Sequence, residues 1–269
     1  MNKRVQATFG FLAVGVLDIL GRLPLGIAYA AGNALLPPYV PFRLRTRSKL
    51  RNLRPAVDPF VYYRLRLRLA LLSVRSTSAR QGNANIKIEE GGFFAGALSS
   101  GKPVLLLGWH QGPVELLHEI PARSASGRPF FVMTASAFAP ALAEWMARKR
   151  QRGGVRVVRP GEANALRDWA RDGGVLAIMV DQVPGEPEEW LALFGGTVKL
   201  PWPGRLIAWV SGKNPEVLAV STRLEKDGIV FRYDTIPSRS VKETMKNLME
   251  EALSRAPEQY NWSYPKARA

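Results

Sequence analysis

From about residue 84 onward, the apolar positions of the chain fall into short runs, many of them bounded by Gly or Pro. Apolar runs of this length between turn residues are typical of buried β-strands. The predicted strands are Val104–Trp109, Phe130–Met133, Val155–Val158, Val175–Val180, Val217–Thr222 and Ile229–Tyr233. The stretches between them suit helices, which are Pro113–Ile120, Ala137–Arg150, Glu162–Arg171, Pro203–Ser211 and Val241–Ala256. Strands that alternate with helices predict an α/β fold, with a mainly parallel central sheet flanked by helices.

One stretch of this region shows neither pattern. Pro184–Pro203 is rich in Pro and Gly, and it contains Phe194-Gly195-Gly196 and Pro201-Trp202-Pro203. Its composition predicts a long loop. Long ordered loops in compact domains are often functional.

The most apolar stretch of the chain is Ala7–Leu36. A helix that spans a membrane needs about 20 apolar residues, and this segment is long enough. It is interrupted by Asp18, Arg22, Pro24 and Asn33. We favour a membrane-embedded or interfacial helical segment. A cleaved signal peptide, with an Ala-x-Ala site at residues 28–30, and a buried helix of the core are the alternatives.

The charge of the chain is concentrated near this apolar segment. There are 38 Lys and Arg residues against 22 Asp and Glu residues, a net charge of +16. Residues 1–80 hold fourteen basic and two acidic residues, so they contribute +12. Such a field implies an anionic partner, and basic residues beside an apolar segment favour anionic headgroups on the cytoplasmic face of a membrane. Because no standard nucleic-acid-binding motif is present, no nucleic acid is expected. A basic protein that binds a membrane or nucleic acid is the non-enzymatic alternative.

Within the basic region, Tyr62–Val74 alternates Arg with Leu. A period of two suggests a strand with a basic face, but Arg and Leu are also good helix formers, and we favour a helix. Arg64 and Arg68 are candidates for contact with lipid phosphates or with an acidic carrier protein. The chain is therefore divided into a membrane-associated segment (1–42), a basic helical region (43–83) and an α/β domain (84–269).

The composition excludes several kinds of active site. The chain has no Cys and only two His residues. A thiol nucleophile, an iron–sulfur cluster and a Cys-based zinc site are therefore excluded. No metal is expected in the site, because a His-rich metal site would need more than the two histidines.

Candidate chemistry lies at the ends of two predicted strands. His110 directly follows the strand Val104–Trp109, and Glu115 follows five residues later. If a helix begins near Pro113, Glu115 can reach back to the imidazole and hold its Nδ1 proton, which makes a His–acid general base. Asp181 follows the second strand and can face the same crevice, because ligands bind beyond the carboxyl ends of parallel strands.

Three residues next to these are candidates for substrate binding: Gln111, Gly112 and Gln182. The other histidine, His118, falls within the predicted helix after the motif, and we interpret it as a structural or surface residue. A helix or turn cap is the alternative role for Asp181. The arginines that end the helix Ala137–Arg150 are also explained by the helix dipole.

Together these motifs resemble the bacterial lipid A late acyltransferase family, within the lysophospholipid acyltransferase superfamily. The resemblance runs from about Leu12 to Arg268. It rests on Asn52-Leu53 and on the segments GKPVLLLGWHQGPVELL, VLAIMVDQVPGEP, LFGG and QYNWSYPKAR. The most specific match is that of His110 and Glu115 to the family's His-x4-acid motif.

The resemblance implies a bacterial inner-membrane enzyme with its active site facing the cytoplasm. Its members move an acyl chain from acyl carrier protein, or sometimes coenzyme A, to a hydroxyl of a lipid A precursor, so no further cofactor is implied. His110 would be the general base and Glu115 its orienting partner, with Arg150 and Asp181 as supporting residues and Arg148 as the alternative arginine. The family often has Asn-Trp where this chain has Pro113-Val114. Acylation of another glycolipid, a lysophospholipid or an aminolipid is the alternative.

Overall fold

The structure is a computed structural model that describes residue 19 and residues 25–34, 57–76, 86–89, 91–125, 127–134, 140–152, 154–159, 161–182 and 187–262. Its helices are α1 (Leu25–Ala34), α2 (Pro59–Ser76), α3 (Gly91–Ser99), α4 (Leu116–Ser124), α5 (Pro140–Arg152), α6 (Ala163–Arg171), α7 (Gly204–Ser211) and α8 (Val241–Arg255). Its strands are β1 (Ile86–Glu89), β2 (Val104–Gly108), β3 (Phe130–Met133), β4 (Val155–Val158), β5 (Val175–Met179), β6 (Glu189–Leu193), β7 (Val198–Trp202), β8 (Glu216–Glu225) and β9 (Gly228–Thr235).

Seven strands form one central sheet in the order β1-β9-β8-β2-β5-β3-β4. Strands β8, β2, β5, β3 and β4 are parallel neighbours, while β9 returns antiparallel to β8 and pairs in parallel with β1. The predicted α/β fold with a mainly parallel sheet is therefore confirmed. Strand β1 and helix α3 were not predicted from the sequence.

The strands in the middle of the sheet are buried on both faces. Leu105 and Leu107 of β2 belong to one apolar cluster, which also includes Trp169 of α6 and Met245 of α8. Val104 and Leu106 belong to a second cluster on the opposite face, with residues of α3 and α4. Because successive side chains of a strand point to opposite faces, helices cover both sides of the sheet, as parallel sheets require.

The prediction of a loop over Pro184–Pro203 is wrong for most of the residues that the structure describes there. Residues 189–202 contain β6 and β7, an antiparallel pair that is separate from the central sheet. Leu191 pairs with Leu200, and both side chains are buried. Because one face of this hairpin is buried, packing outweighs the local preferences of its Gly and Pro residues for irregular structure.

The helix predicted over Tyr62–Val74 is confirmed as part of α2, against which α1 packs. Apart from residue 19 and α1, the predicted membrane segment Ala7–Leu36 lies outside the described residues. In the part of the chain that the structure describes, no helix is long and apolar enough to cross a membrane. The membrane-associated segment remains a prediction, and the predicted boundaries after residues 42 and 83 also lie outside the described residues.

Candidate active site

The centre of the candidate site is a pair of side chains at the carboxyl ends of β2 and β5. These strands are parallel neighbours, and Gly108 lies beside Met179 in their register. His110 and Asp181, two residues further along each chain, therefore meet. Nδ1 of His110 lies 2.8 Å from Oδ1 of Asp181, and the backbone N–H of His110 donates to Oδ2 at 2.9 Å. The two side chains that were predicted to lie at the same edge of the sheet are therefore in contact.

Asp181 carries a negative charge although its side chain is almost completely buried. Burial alone would raise its pKa, but the imidazole ring and backbone N–H of His110, together with the nearby Tyr260 side chain, outweigh this effect and lower the pKa. An ionised carboxylate only accepts hydrogen bonds, so Nδ1 of the imidazole carries the proton. When the imidazole is neutral, the free lone pair is therefore on Nε2. The histidine side chain is 18% exposed, so a substrate can reach it.

Glu115 has a different partner from the one predicted. It lies immediately before α4, and its two carboxylate oxygens accept hydrogen bonds from Arg150 of α5, Nε at 2.9 Å and Nη2 at 2.7 Å. The prediction that Glu115 holds Nδ1 of His110 is wrong, because Asp181 occupies that position. A two-point bond to a guanidinium is among the strongest side-chain interactions, and it fixes the carboxylate in place.

The pair formed by Glu115 and Arg150 is mostly buried, with 15% and 11% of the side chains exposed. Burial would lower the pKa of Arg150, but the charge of Glu115 and its hydrogen bonds outweigh burial and raise the pKa. Arg148, the alternative arginine, is 68% exposed and pairs with Glu144 of its own helix. The structure therefore brings Arg150, and not Arg148, to Glu115.

The turn after His110 is fixed by the C-terminal segment. Gly112 adopts a φ of +66°, and a Cβ atom there would lie 2.5 Å from the carbonyl oxygen of Thr222. The N–H of Gly112 donates to the carbonyl of Gln259, and the N–H of Asn261 donates to the carbonyl of His110. Gly112 was predicted to bind substrate, but its N–H is already engaged within the protein. Its role in the structure is to let the turn pass close to β8.

Gln111 was also predicted to bind substrate, and the structure gives it a different role. Its side chain is 2% exposed. Its oxygen accepts a hydrogen bond from Trp109 Nε1 at 2.8 Å, and its nitrogen donates to the carbonyls of Ala252 and Ala256. Because both ends of the amide are engaged, Gln111 ties the histidine turn to the end of α8.

For the other residues predicted to bind substrate, the structure describes no contact with His110 or Asp181 that tests their role. Gln182 follows Asp181 and is partly buried. Arg64 and Arg68 lie exposed on α2, and the side chain of His118 lies outside what the structure describes. Substrate contact by Gln182, Arg64 and Arg68 remains a prediction.

Two further residues were not predicted from the sequence. Tyr260 is buried, and its side chain helps to lower the pKa of the Asp181 carboxyl. Arg66 of α2 is close enough to Tyr260 for the two side chains to interact electrostatically. The only signals were the QYNWSYPKAR segment, which contains Tyr260, and the Arg–Leu alternation, which contains Arg66; neither singles out one residue.

No three His, Asp or Glu side chains of the described residues come together as a metal site would require. Comparison with known families supports the reading of this site. The profile of the family described as bacterial lipid A biosynthesis acyltransferase matches residues 69–268. The chain belongs to this family. The matched region includes His110, Glu115, Arg150, Asp181 and all seven strands of the central sheet, so the site described above lies within it. A comparison with curated proteins finds no significant match.

Proposed function

We propose that the protein moves a fatty acyl chain from an acyl thioester to a hydroxyl of a lipid A precursor or a related glycolipid, with His110 as general base. The observation that carries the proposal is the contact of His110 Nδ1 with the buried, ionised Asp181 in a member of a lipid A acyltransferase family. In the neutral imidazole that contact leaves the lone pair on Nε2, and the histidine side chain is partly exposed to substrate.

The reaction needs no nucleophile from the protein. Nε2 takes the proton of the acceptor hydroxyl as its oxygen attacks the thioester carbonyl, and a C–O bond forms. The imidazolium is stabilised by the carboxylate of Asp181. The tetrahedral intermediate then collapses, the C–S bond breaks, and the proton on Nε2 passes to the departing thiolate. General-base catalysis of this kind contributes about 10²- to 10⁴-fold to the rate.

Arg150 is the candidate for stabilising the negative oxygen of the intermediate. Its Nε and Nη2 bind Glu115, and neither of these hydrogen bonds uses Nη1. A guanidinium held in a mostly buried position stabilises developing charge better than a mobile one in water. In this proposal Glu115 is a positioning residue, which orients Arg150 instead of the imidazole.

The proposed donor is acyl carrier protein, with coenzyme A thioesters as the alternative, and the proposed location is the inner membrane with the site facing the cytoplasm. The net charge of +16 supports an acidic carrier and an anionic lipid as partners. A lysophospholipid or an aminolipid as acceptor would use the same chemistry, and only the product distinguishes these acceptors from a lipid A precursor.

The test is acyl transfer by membranes that contain the protein, with labelled acyl carrier protein as donor and mass spectrometry of the lipid products. We expect His110→Gln to lose at least about 10²-fold in rate, because the general base is gone. His118→Gln, which changes the only other histidine, is the matched control and should keep its activity. Unchanged turnover in His110→Gln would contradict the mechanism. No labelled lipid from wild type, with either carrier protein or coenzyme A as donor, would overturn the proposed function.

A further inference from the structure

Arg66 differs from the two arginines beside it on α2. Arg64 and Arg68 are four residues apart, so they share one face of the helix, and both are exposed. Arg66 is about 200° away from Arg64 around the helix axis. Its Nη1 atom is buried, and it has no hydrogen-bond partner among the described residues.

A comparison with Arg150 shows why this is unusual. Both arginines are affected by burial, but Glu115 compensates the charge of Arg150 and raises its pKa. For Arg66, burial lowers the pKa, and the interactions with Tyr62 and Tyr260 only partly oppose this effect. Arginine stays protonated in proteins, so Arg66 places a positive charge in the structure that no carboxylate of the described residues balances.

The charge lies close to the proposed catalytic pair. Helix α2 packs against the turn Pro257–Gln259, which directly precedes Tyr260. Tyr260 interacts with both Asp181 and Arg66. The same tyrosine therefore links α2 to the carboxylate that holds His110.

We propose that Arg66 binds a phosphate group of a substrate, and so helps to position that substrate beside His110. This inference rests on the proposed function, in which both the phosphopantetheine thioester and the phosphorylated lipid bring a phosphate to the site. The planar guanidinium can bind two phosphate oxygens at once, and the side chain as a whole is partly exposed, which leaves a route for the ligand. The bound phosphate supplies the anion that the fold does not.

The kinetic test compares substrates with and without the phosphate. Wild type and Arg66→Gln are assayed with acyl-phosphopantetheine and with acyl-pantetheine as donors, and with a phosphorylated lipid A precursor and its dephosphorylated form as acceptors. We expect the variant to raise the KM for one phosphate-bearing substrate by about 10- to 100-fold, the range for a hydrogen bond to a charged group. With the matching substrate that lacks phosphate, the KM values of wild type and Arg66→Gln should differ by less than about threefold.

The substrate for which the difference disappears identifies the source of the phosphate. Arg66→Lys should recover part of the KM, since it keeps the charge but loses the two-point geometry. Arg167→Gln, at an exposed position on α6, removes the same charge elsewhere and should leave both KM values unchanged. An equal loss with all four substrates would overturn phosphate binding and indicate a structural role.

A measurement of stability keeps the inference separate from the proposed function. Because the wild-type charge is buried without a carboxylate, Arg66→Met should unfold at the same or a higher temperature than wild type. Phosphopantetheine or the phosphorylated lipid should raise the melting temperature of wild type but not that of Arg66→Met, while pantetheine should raise neither. If wild type transfers no acyl group, the proposed function fails and this comparison still decides the role of Arg66. If neither phosphate compound raises the melting temperature of wild type selectively, the proposed role of Arg66 is overturned.

Discussion

At the scale of single residues, the site depends on which carboxylate meets the imidazole. The ends of β2 and β5 could be predicted from their apolar runs, and with them the positions of His110 and Asp181. The partner of His110 could not be predicted, because the five-residue spacing to Glu115 does not say which way the turn directs the carboxylate. Arg150, 35 residues further along the chain, binds Glu115 instead.

Asp181 should make the free energy of unfolding depend on pH in the acidic range. Its pKa is lowered in the folded state, so its charge stabilises the fold at neutral pH, and this contribution is lost as the pH falls from the ordinary pKa of Asp, about 3.9, through the lowered one. The free energy of unfolding of wild type and Asp181→Asn should be compared by denaturant titration from pH 7 to pH 3. The difference between the two proteins should shrink as the pH falls. A difference that does not change with pH would contradict an ionised Asp181.

Gly112 should tolerate no side chain. Gly112→Ala combines a positive φ with a Cβ that would lie 2.5 Å from the carbonyl oxygen of Thr222. We expect a loss of more than about 3 kcal/mol in the free energy of unfolding, beyond the strain of the backbone alone. Gly101→Ala is the matched control, since Gly101 has a φ of +72° but nothing within 4 Å of its Cβ position. The free energy of unfolding of Gly101→Ala, measured with urea, should fall by only about 1 kcal/mol. Equal losses would mean that the backbone at residue 112 can shift.

At the scale of elements, the strands with continuous apolar runs were predictable and the strands without such runs were not. Strand β3 was predicted with its observed ends, and β2 and β5 within one residue. Strand β1 was missed because its two central side chains, Lys87 and Ile88, are exposed, so it has no apolar run. The hairpin of β6 and β7 was missed because its order comes from packing against the rest of the chain, while its Gly and Pro residues favour a loop.

The contact between Glu115 and Arg150 should hold the start of α4 to the end of α5. Glu115→Ala and Arg150→Ala should each cost about 3 kcal/mol in the free energy of unfolding, because each leaves the partner charge buried. The double variant should lose less than the sum of the two, which urea unfolding of all four proteins would measure as a coupling energy. The exposed pair Glu144 and Arg148 is the matched control and should couple by less than about 0.5 kcal/mol. Equal coupling in the two pairs would show that burial adds nothing to the Glu115–Arg150 contact.

At the scale of the whole molecule, charge and exposed apolar surface occur in the same part of the chain. Residues 1–80 contribute +12 of the net charge of +16. In the described part of this region, Ile27 on α1 and Phe60 and Val61 on α2 are exposed, as are Arg64 and Arg68. The sequence predicted the size and sign of the field. It could not predict which arginines of α2 are exposed and which one is partly buried, because that depends on how the helix is packed.

This arrangement predicts binding to anionic membranes through the outer face of α2. Vesicles with and without anionic lipid should be compared by co-sedimentation of the full-length protein at low and high salt. Each arginine near an anionic surface contributes about 1 kcal/mol, so Arg64→Gln with Arg68→Gln should weaken binding to anionic vesicles by about 10- to 30-fold at low salt. High salt should remove most of this difference, because exposed charges are screened.

The matched control removes two positive charges from another part of the surface. Arg167→Gln with Lys226→Gln changes the net charge by the same amount, and both positions are exposed. If α2 faces the membrane, this control should bind anionic vesicles almost as well as wild type. An equal loss in both double variants would mean that only the net charge matters. No loss in the Arg64 and Arg68 variant would place the membrane contact elsewhere on the chain.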